Sequence, residues 1–271
     1  MSARRDARER RKALLAAAQE AGGERGCLFC RASDGGFTSL EHVVAEALAN
    51  VQAVLPVGVV CDRCNNGPLS ELDQTVSDFF PLRIARTMWG VPGKSGTIPE
   101  TRLSTGTLRN LGANELAIEL NRAADRTTIQ ETGRDGDRVE LQLNWTGGRR
   151  MTARYASDLS RALLKSALEF AWIDHGLATL DADYDHLRRA VLGDAREGFL
   201  LVGHHGDPNH RGLALRYWLQ HDSAGLHVYT EAKFHGVTLA TDSRLAWPVG
   251  VEPPTGAHMV NFSHADFPSR S

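Results

Sequence analysis

The chain has 271 residues, of which 42% are hydrophobic and 24% charged, and its formal net charge is −2. This length exceeds the usual single-domain size of roughly 100–150 residues and predicts two domains, while the composition excludes disordered, fibrous and collagen-like chains. No apolar run approaches the roughly 18 residues needed to span a bilayer, and the near-neutral balance confines any nucleic-acid contact to local basic patches.

In chain order, residues 1–23 predict a basic helix in which Arg4, Arg5, Arg8, Arg10, Arg11 and Lys12 outnumber Asp6 and Glu9. The Ala-rich stretch that follows is too short for a signal peptide and runs at once into Gln19 and Glu20, so the expectation is a cytoplasmic protein without a membrane segment. A second basic group, Arg149, Arg150, Arg154, Arg161 and Lys165, falls at a strand end and on the helix after it. Either patch reads as a phosphate contact or as a solvated, charge-mixed face.

All four cysteines fall in two C-x-x-C pairs, Cys27 with Cys30 and Cys61 with Cys64. A two-residue gap lets both sulfurs of one tight turn reach the same centre, and two such turns supply the tetrahedral thiolates that structural zinc prefers. A disulfide framework would want a secretory context, and a redox C-x-x-C normally appears once, near a βαβ pattern. Structural Zn2+ is therefore expected. Its binding, worth roughly 10–16 kcal/mol, would supply most of the folding free energy of the segment it staples, which a chelator should unfold.

Between the cysteine pairs, residues 38–44 read as a strand leading into a bend, with Glu41 and His42 adjacent in it. Neighbours on a strand face opposite sides, so this pair can serve one centre only if the strand ends or kinks there. Residues 45–50 read as a short helical turn. After Cys64 come Asn65 and Asn66, at the mouth of a helix that Pro68 starts and that Leu69, Leu72, Val76 and Phe79 or Phe80 stripe with apolar side chains.

The strings C-L-F-C, L-E-H-V-V-A-E-A-L and V-V-C-D-R-C-N-N-G, in this order within residues 24–80, resemble the HNH endonuclease family in its cysteine-bearing branch. The resemblance implies a ββα-metal module over residues 24–92 that hydrolyses phosphodiester bonds of DNA with one Mg2+ or Mn2+, beside the structural Zn2+. It implies His42 as general base, Glu41 and Asn65 as ligands of the catalytic ion, and Cys27, Cys30, Cys61 and Cys64 as the staple. Many members orient the base with an Asn shortly before the third cysteine. Val57 stands there, so Asn66 or a backbone carbonyl is expected to take that role.

The chemistry suits these residue types. An imidazole of ordinary pKa, about 6.5, can take a proton from water near neutral pH. A hard cation held by few oxygens keeps its waters and neutralises charge developing on phosphorus. Arg63, inside the second cysteine turn, joins Arg4, Arg5, Arg8, Arg11 and Lys12 as the expected nucleic-acid contacts.

Residues 88–93 read as the exit from this module, and Gly- and Pro-containing text runs on to Pro99. Strands are expected at 115–120, 127–131, 138–145, 199–202, 213–219, 226–231 and 237–240. Helices are expected at 157–176, capped by Ser157 and ended by Gly176, and at 184–192. Residues 203–210, which hold three histidines, read as a polar loop between strands and not as a second metal site. This second domain carries no internal repeat, P-loop or dinucleotide fingerprint.

The expected fold is thus α+β: a zinc-stapled ββα-metal module, then an α+β domain over 100–271 with antiparallel strands and a long helix, serving target selection or regulation. The expected function is a metal-dependent HNH-type endonuclease acting on DNA. Family association suggests defence against invading DNA, and double cuts would favour a homodimer. The alternatives are a zinc-stapled nucleic-acid-binding module without catalysis, for which Val57 is the supporting residue, and a toxin-like effector nuclease.

Overall fold

The computed structural model describes residues 26–48, 50, 53–93, 95–103, 106–112, 115–120, 127–135, 138–145, 153–193, 197–205, 212–223, 225–235 and 237–248. The basic segment with Arg4, Arg5, Arg8, Arg11 and Lys12 lies outside the described residues. The fold is α+β, with antiparallel strands throughout.

The first cysteine turn closes on itself through Arg31 N–H donating to the Cys27 carbonyl at 2.8 Å. Leu28 N–H donates to the Val59 carbonyl at 2.7 Å, which lays this turn beside the chain entering the second pair. Strand β1, Glu41–His42, pairs antiparallel with β2, Val54–Leu55, in the register Glu41 opposite Leu55. The strand is shorter than residues 38–44 predict. It ends at His42, the condition under which Glu41 and His42 can serve one centre. Asn50 closes the loop between the strands: its Nδ2 donates to the Val44 and Ala53 carbonyls at 2.8 and 2.9 Å.

The helix after Cys64 begins earlier than Pro68 suggests. A first turn, α1 (Asp62–Cys64), runs on through Asn65–Leu69 into α2 (Ser70–Asp78). Asn65 and Asn66 therefore sit inside a kinked helical run. The kink is at Gly67, whose φ of −107° and ψ of −113° leave helical values. The cause is Pro68, which offers no N–H and whose ring would clash with the carbonyl four residues back. Phe79, with ψ 118°, separates α2 from α3 (Phe80–Met88).

Beyond Val91 come β3 (Thr101–Leu103), β4 (Gly106–Gly112) and β5 (Glu115–Leu120) in one three-stranded sheet, and the hairpin of β6 (Thr127–Asp135) with β7 (Arg138–Trp145). Helix α4, Ala153–His175, starts before Ser157, which therefore lies inside it and does not cap it. Helix α5, Asp185–Leu192, ends at Gly193, whose φ of 87° is the left-handed terminator that glycine supplies most easily. The last sheet has the order β8-β11-β10-β9, from β8 (Glu197–His205), β9 (Leu213–Asp222), β10 (Gly225–Phe234) and β11 (Val237–Pro248). Residues 203–205 belong to β8, which corrects the polar-loop expectation for that part of 203–210.

Helix α4 is the axis of the molecule. It packs on α2 and α5 and on all four strands of the last sheet. Leu159, Leu163, Leu164, Ala167, Leu168 and Ala171 are buried, and they share one continuous core with Cys27, Phe29, Val43, Leu55, Leu69 and Leu72. The core thus crosses the boundary that the Gly- and Pro-containing stretch before Pro99 suggests. Among the described residues, no helix is long and apolar enough to cross a membrane.

Candidate functional site: a cysteine centre beside a polar cleft

The four cysteines converge. All four Sγ atoms lie within 4.8 Å of one another, and Cys30 Sγ is 3.6 Å from Cys61 Sγ. Zinc–sulfur bonds of about 2.3 Å in a tetrahedron set sulfur–sulfur edges of about 3.8 Å, so the cluster fits a metal such as zinc. The Cys64 thiol beside it, against burial and with help from backbone N–H groups, pulls Cys27 down to about 4. Cys64 is pushed up by its place beside Cys27, and Cys61 chiefly by burial. A bound dication would relieve the crowding of these sulfurs, because a metal needs all four deprotonated. Among the described residues this is the one grouping of His, Cys, Asp and Glu with metal-site geometry.

Asp62, inside the second cysteine turn, links this centre to β1. Its carboxylate accepts from Thr38 N–H at 2.9 Å, Ser39 N–H at 2.7 Å and Thr38 Oγ1 at 2.9 Å. Partial burial works against the charge, but these bonds outweigh it and hold the carboxyl below its ordinary range. The segment leading into Glu41 and His42 is therefore tied to the second cysteine turn.

Glu41, His42, Asn65 and Asn66 all line one cleft of about 640 Å3, together with Glu46, Asp73, Asp78, Arg83 and Arg86. Asn65 Nδ2 donates to the Leu40 carbonyl at 3.1 Å, which leaves Oδ1 as its acceptor. Asn66 Nδ2 donates to Ser39 Oγ at 3.2 Å. The carboxylate facing the imidazole is Glu46, with Oε2 3.9 Å from His42 Nε2. Arg63 is exposed, and its Nη2 lies 3.6 Å from Cys30 Sγ, in the first cysteine turn.

Glu41 does not face the cleft alone. Lys165, from α4, reaches it at 2.6 Å, and also lies 3.1 Å from Asp73 Oδ1, 3.6 Å from Glu169 Oε2 and 2.9 Å from the His42 carbonyl. The Lys165 side chain is 1% exposed and that of Glu169 fully buried. Burial pushes Glu169 and Glu41 upward, against the pull of the Lys165 ammonium. Lys165 stays charged: the carboxylates of Asp73, Glu169 and Glu41 outweigh the desolvation that opposes it.

This arrangement corrects the reading of Arg161 and Lys165 as part of a basic surface patch. Lys165 is interior. Arg161 binds Asp158 at 2.7 Å and the Ala190 and Val191 carbonyls at 3.0 and 2.8 Å, closing the end of α5. Arg149 and Arg150 lie outside the described residues.

Glu169 and Glu46 are residues beside the cleft that sequence reasoning missed, and Lys165 is one that it placed on the surface. Their signals were a charged i,i+4 pair inside an otherwise apolar helical run, and a Glu spaced i,i+4 from His42. The chain matches no family model, and no curated protein or solved structure matches it.

Proposed function

We propose that the chain is a metal-dependent endonuclease of the HNH type that hydrolyses phosphodiester bonds of DNA. The observation that carries this reading is that Glu41, His42, Asn65 and Asn66, from two separate segments, line one cleft beside the four-cysteine cluster. His42 is the general base, taking the proton of the attacking water, and Glu46 orients its ring and stabilises the imidazolium that forms. Glu41 and the free Oδ1 of Asn65 are hard oxygen donors of the kind Mg2+ or Mn2+ takes. Such an ion, when bound, would hold the scissile phosphate and neutralise its developing charge. Lys165 fixes Glu41 from behind, and its charge offsets part of the carboxylate excess at this end of the cleft.

A second reading is a zinc-held nucleic-acid-binding module without catalysis. The contact favouring it is the one between Lys165 and Glu41, 2.6 Å long, because an ammonium already neutralises the expected metal ligand.

Nicking of supercoiled plasmid by the full chain in Mg2+ or Mn2+ separates the two. Cleavage is expected from the wild type, with a loss of roughly 10²–10⁴-fold in His42→Ala at unchanged zinc content. Binding of DNA with no nicking by either protein, over several metals and substrates, would assign the chain to the second reading.

A further inference from the structure

The cleft is polar at both ends but opposite in charge. Glu41, Glu46 and Asp73 line it near His42, whereas Arg83 and Arg86, both on α3, line it near Asp78. Arg86 is only 7% exposed. Among the described residues its guanidinium makes no hydrogen bond or ion pair, and Nε is buried without a partner. Burial and the adjacent Arg83 both work against its charge, and Asp78 works for it. Asp78 is itself held by Gln74, whose Nε2 donates to it at 2.7 Å. A buried, uncompensated charge costs several kcal/mol, and a chain that keeps one beside a second arginine gains stability when an anion arrives.

We infer that Arg83 and Arg86 form a phosphate subsite that holds a non-scissile phosphate of the nucleic-acid strand, at the opposite end of the cleft from His42. The ligand's identity rests on the nuclease reading; the anion site itself does not. The guanidinium fork matches phosphate oxygens in pairs, which an ammonium cannot do. Helix α2 forms the floor between the two ends, its Ser70, Asp73, Gln74, Ser77 and Asp78 all lining the cleft. From Asp73, at the His42 end, to Asp78 the helix rises five residues at 1.5 Å each, roughly 7.5 Å, or about two nucleotides at about 3.4 Å of axis each. Gly93 completes the subsite. A Cβ there would lie in ordinary contact with Arg86 Nη2, at 3.5 Å, so only a branched side chain at this position would reach across that nitrogen.

The test uses the full zinc-loaded chain, with His42→Ala as the non-cleaving parent, and two probes: a short labelled oligonucleotide, single- or double-stranded, and inorganic phosphate. Adding Arg86→Met is expected to weaken oligonucleotide binding at least tenfold and to flatten its salt dependence by about one ion. Without ligand, the same change leaves the melting temperature equal or higher, because it removes an unpaired buried charge. Inorganic phosphate should raise the melting temperature of the parent but not that of Arg86→Met. Gly93→Val should reproduce the binding loss with both arginines in place.

The subsite is overturned if Arg86→Met binds and responds to phosphate like its parent, even where His42→Ala has established the nuclease. A lower melting temperature with unchanged phosphate response would make Arg86 a structural residue and also overturn it. Phosphate protection that depends on Arg86, with no oligonucleotide bound, would overturn the nucleic-acid ligand and leave a site for free anions.

Discussion

Gly35 and Gly36 set how closely the loop after the first cysteine turn approaches the second. A Cβ on Gly35 would lie 2.9 Å from Cys61 Cβ and 3.1 Å from its sulfur. On Gly36, whose φ is +69°, it would lie 2.8 Å from Asp62 Oδ2. The two clashes differ in kind. Asp62 Oδ2 ends a side chain, whereas Cys61 Cβ is fixed to backbone that must stay put for its sulfur to reach the metal. Gly35→Ala is therefore expected to weaken zinc binding by roughly 10–100-fold, the usual consequence of disturbing the shell behind the ligands. Competition with a chromophoric chelator measures this. Unchanged zinc affinity would mean that the loop yields and that Gly35 does not set the geometry.

At the scale of elements, α4 binds the molecule through a charged cluster as well as through its apolar faces. Lys165 touches Glu41, Asp73 and Glu169 and donates to the His42 carbonyl, so a single ammonium spans α4, α2 and β1. Removing one partner of a buried ion pair typically costs about 3–5 kcal/mol, because the other is left uncompensated. Lys165→Met keeps most of the stem and should lose about that much in urea unfolding with zinc retained. Adding Glu169→Leu should recover part of the loss, since one stranded carboxylate goes with it. A single variant within about 1 kcal/mol of wild type would show that the cluster carries no such charge.

This cluster also marks where the sequence stopped being legible. The cysteine spacing fixes a local geometry, and the four sulfurs do converge. Likewise the alternating stretches at 115–120 and 138–145 became strands with those bounds. Lys165 carries no such local rule. On an exposed helix it would be a solvated charge, and only burial of α4 on nearly every side, by packing distant in sequence, makes it interior. Arg86 was illegible for the same reason.

For the whole molecule, the question is whether the cysteine centre and the last sheet fold as separate units. The length and the Gly- and Pro-containing stretch before Pro99 predict two domains, yet the buried residues form one cluster from Cys27 to Leu239. Polar contacts cross the same boundary. Arg188, on α5, donates from Nε to the Leu28 carbonyl at 2.8 Å, and Arg31 reaches Asp185 at 3.4 Å. A segment that ends near residue 92 would open the face of α2 on which α4 packs and would strand Glu41 and Asp73 without Lys165. Zinc can close the cysteine turns of such a fragment, but it cannot replace that core. The full chain should therefore unfold in one transition by far-ultraviolet circular dichroism and by tryptophan fluorescence. Removal of zinc should shift both signals together to lower temperature, because metal binding and the shared core stabilise the same folded state. Two separate transitions, with only the first sensitive to a chelator, would show independent domains. A cooperatively folded fragment of residues 24–99 would lead to the same conclusion and would make α4 a docked neighbour rather than the axis of the fold.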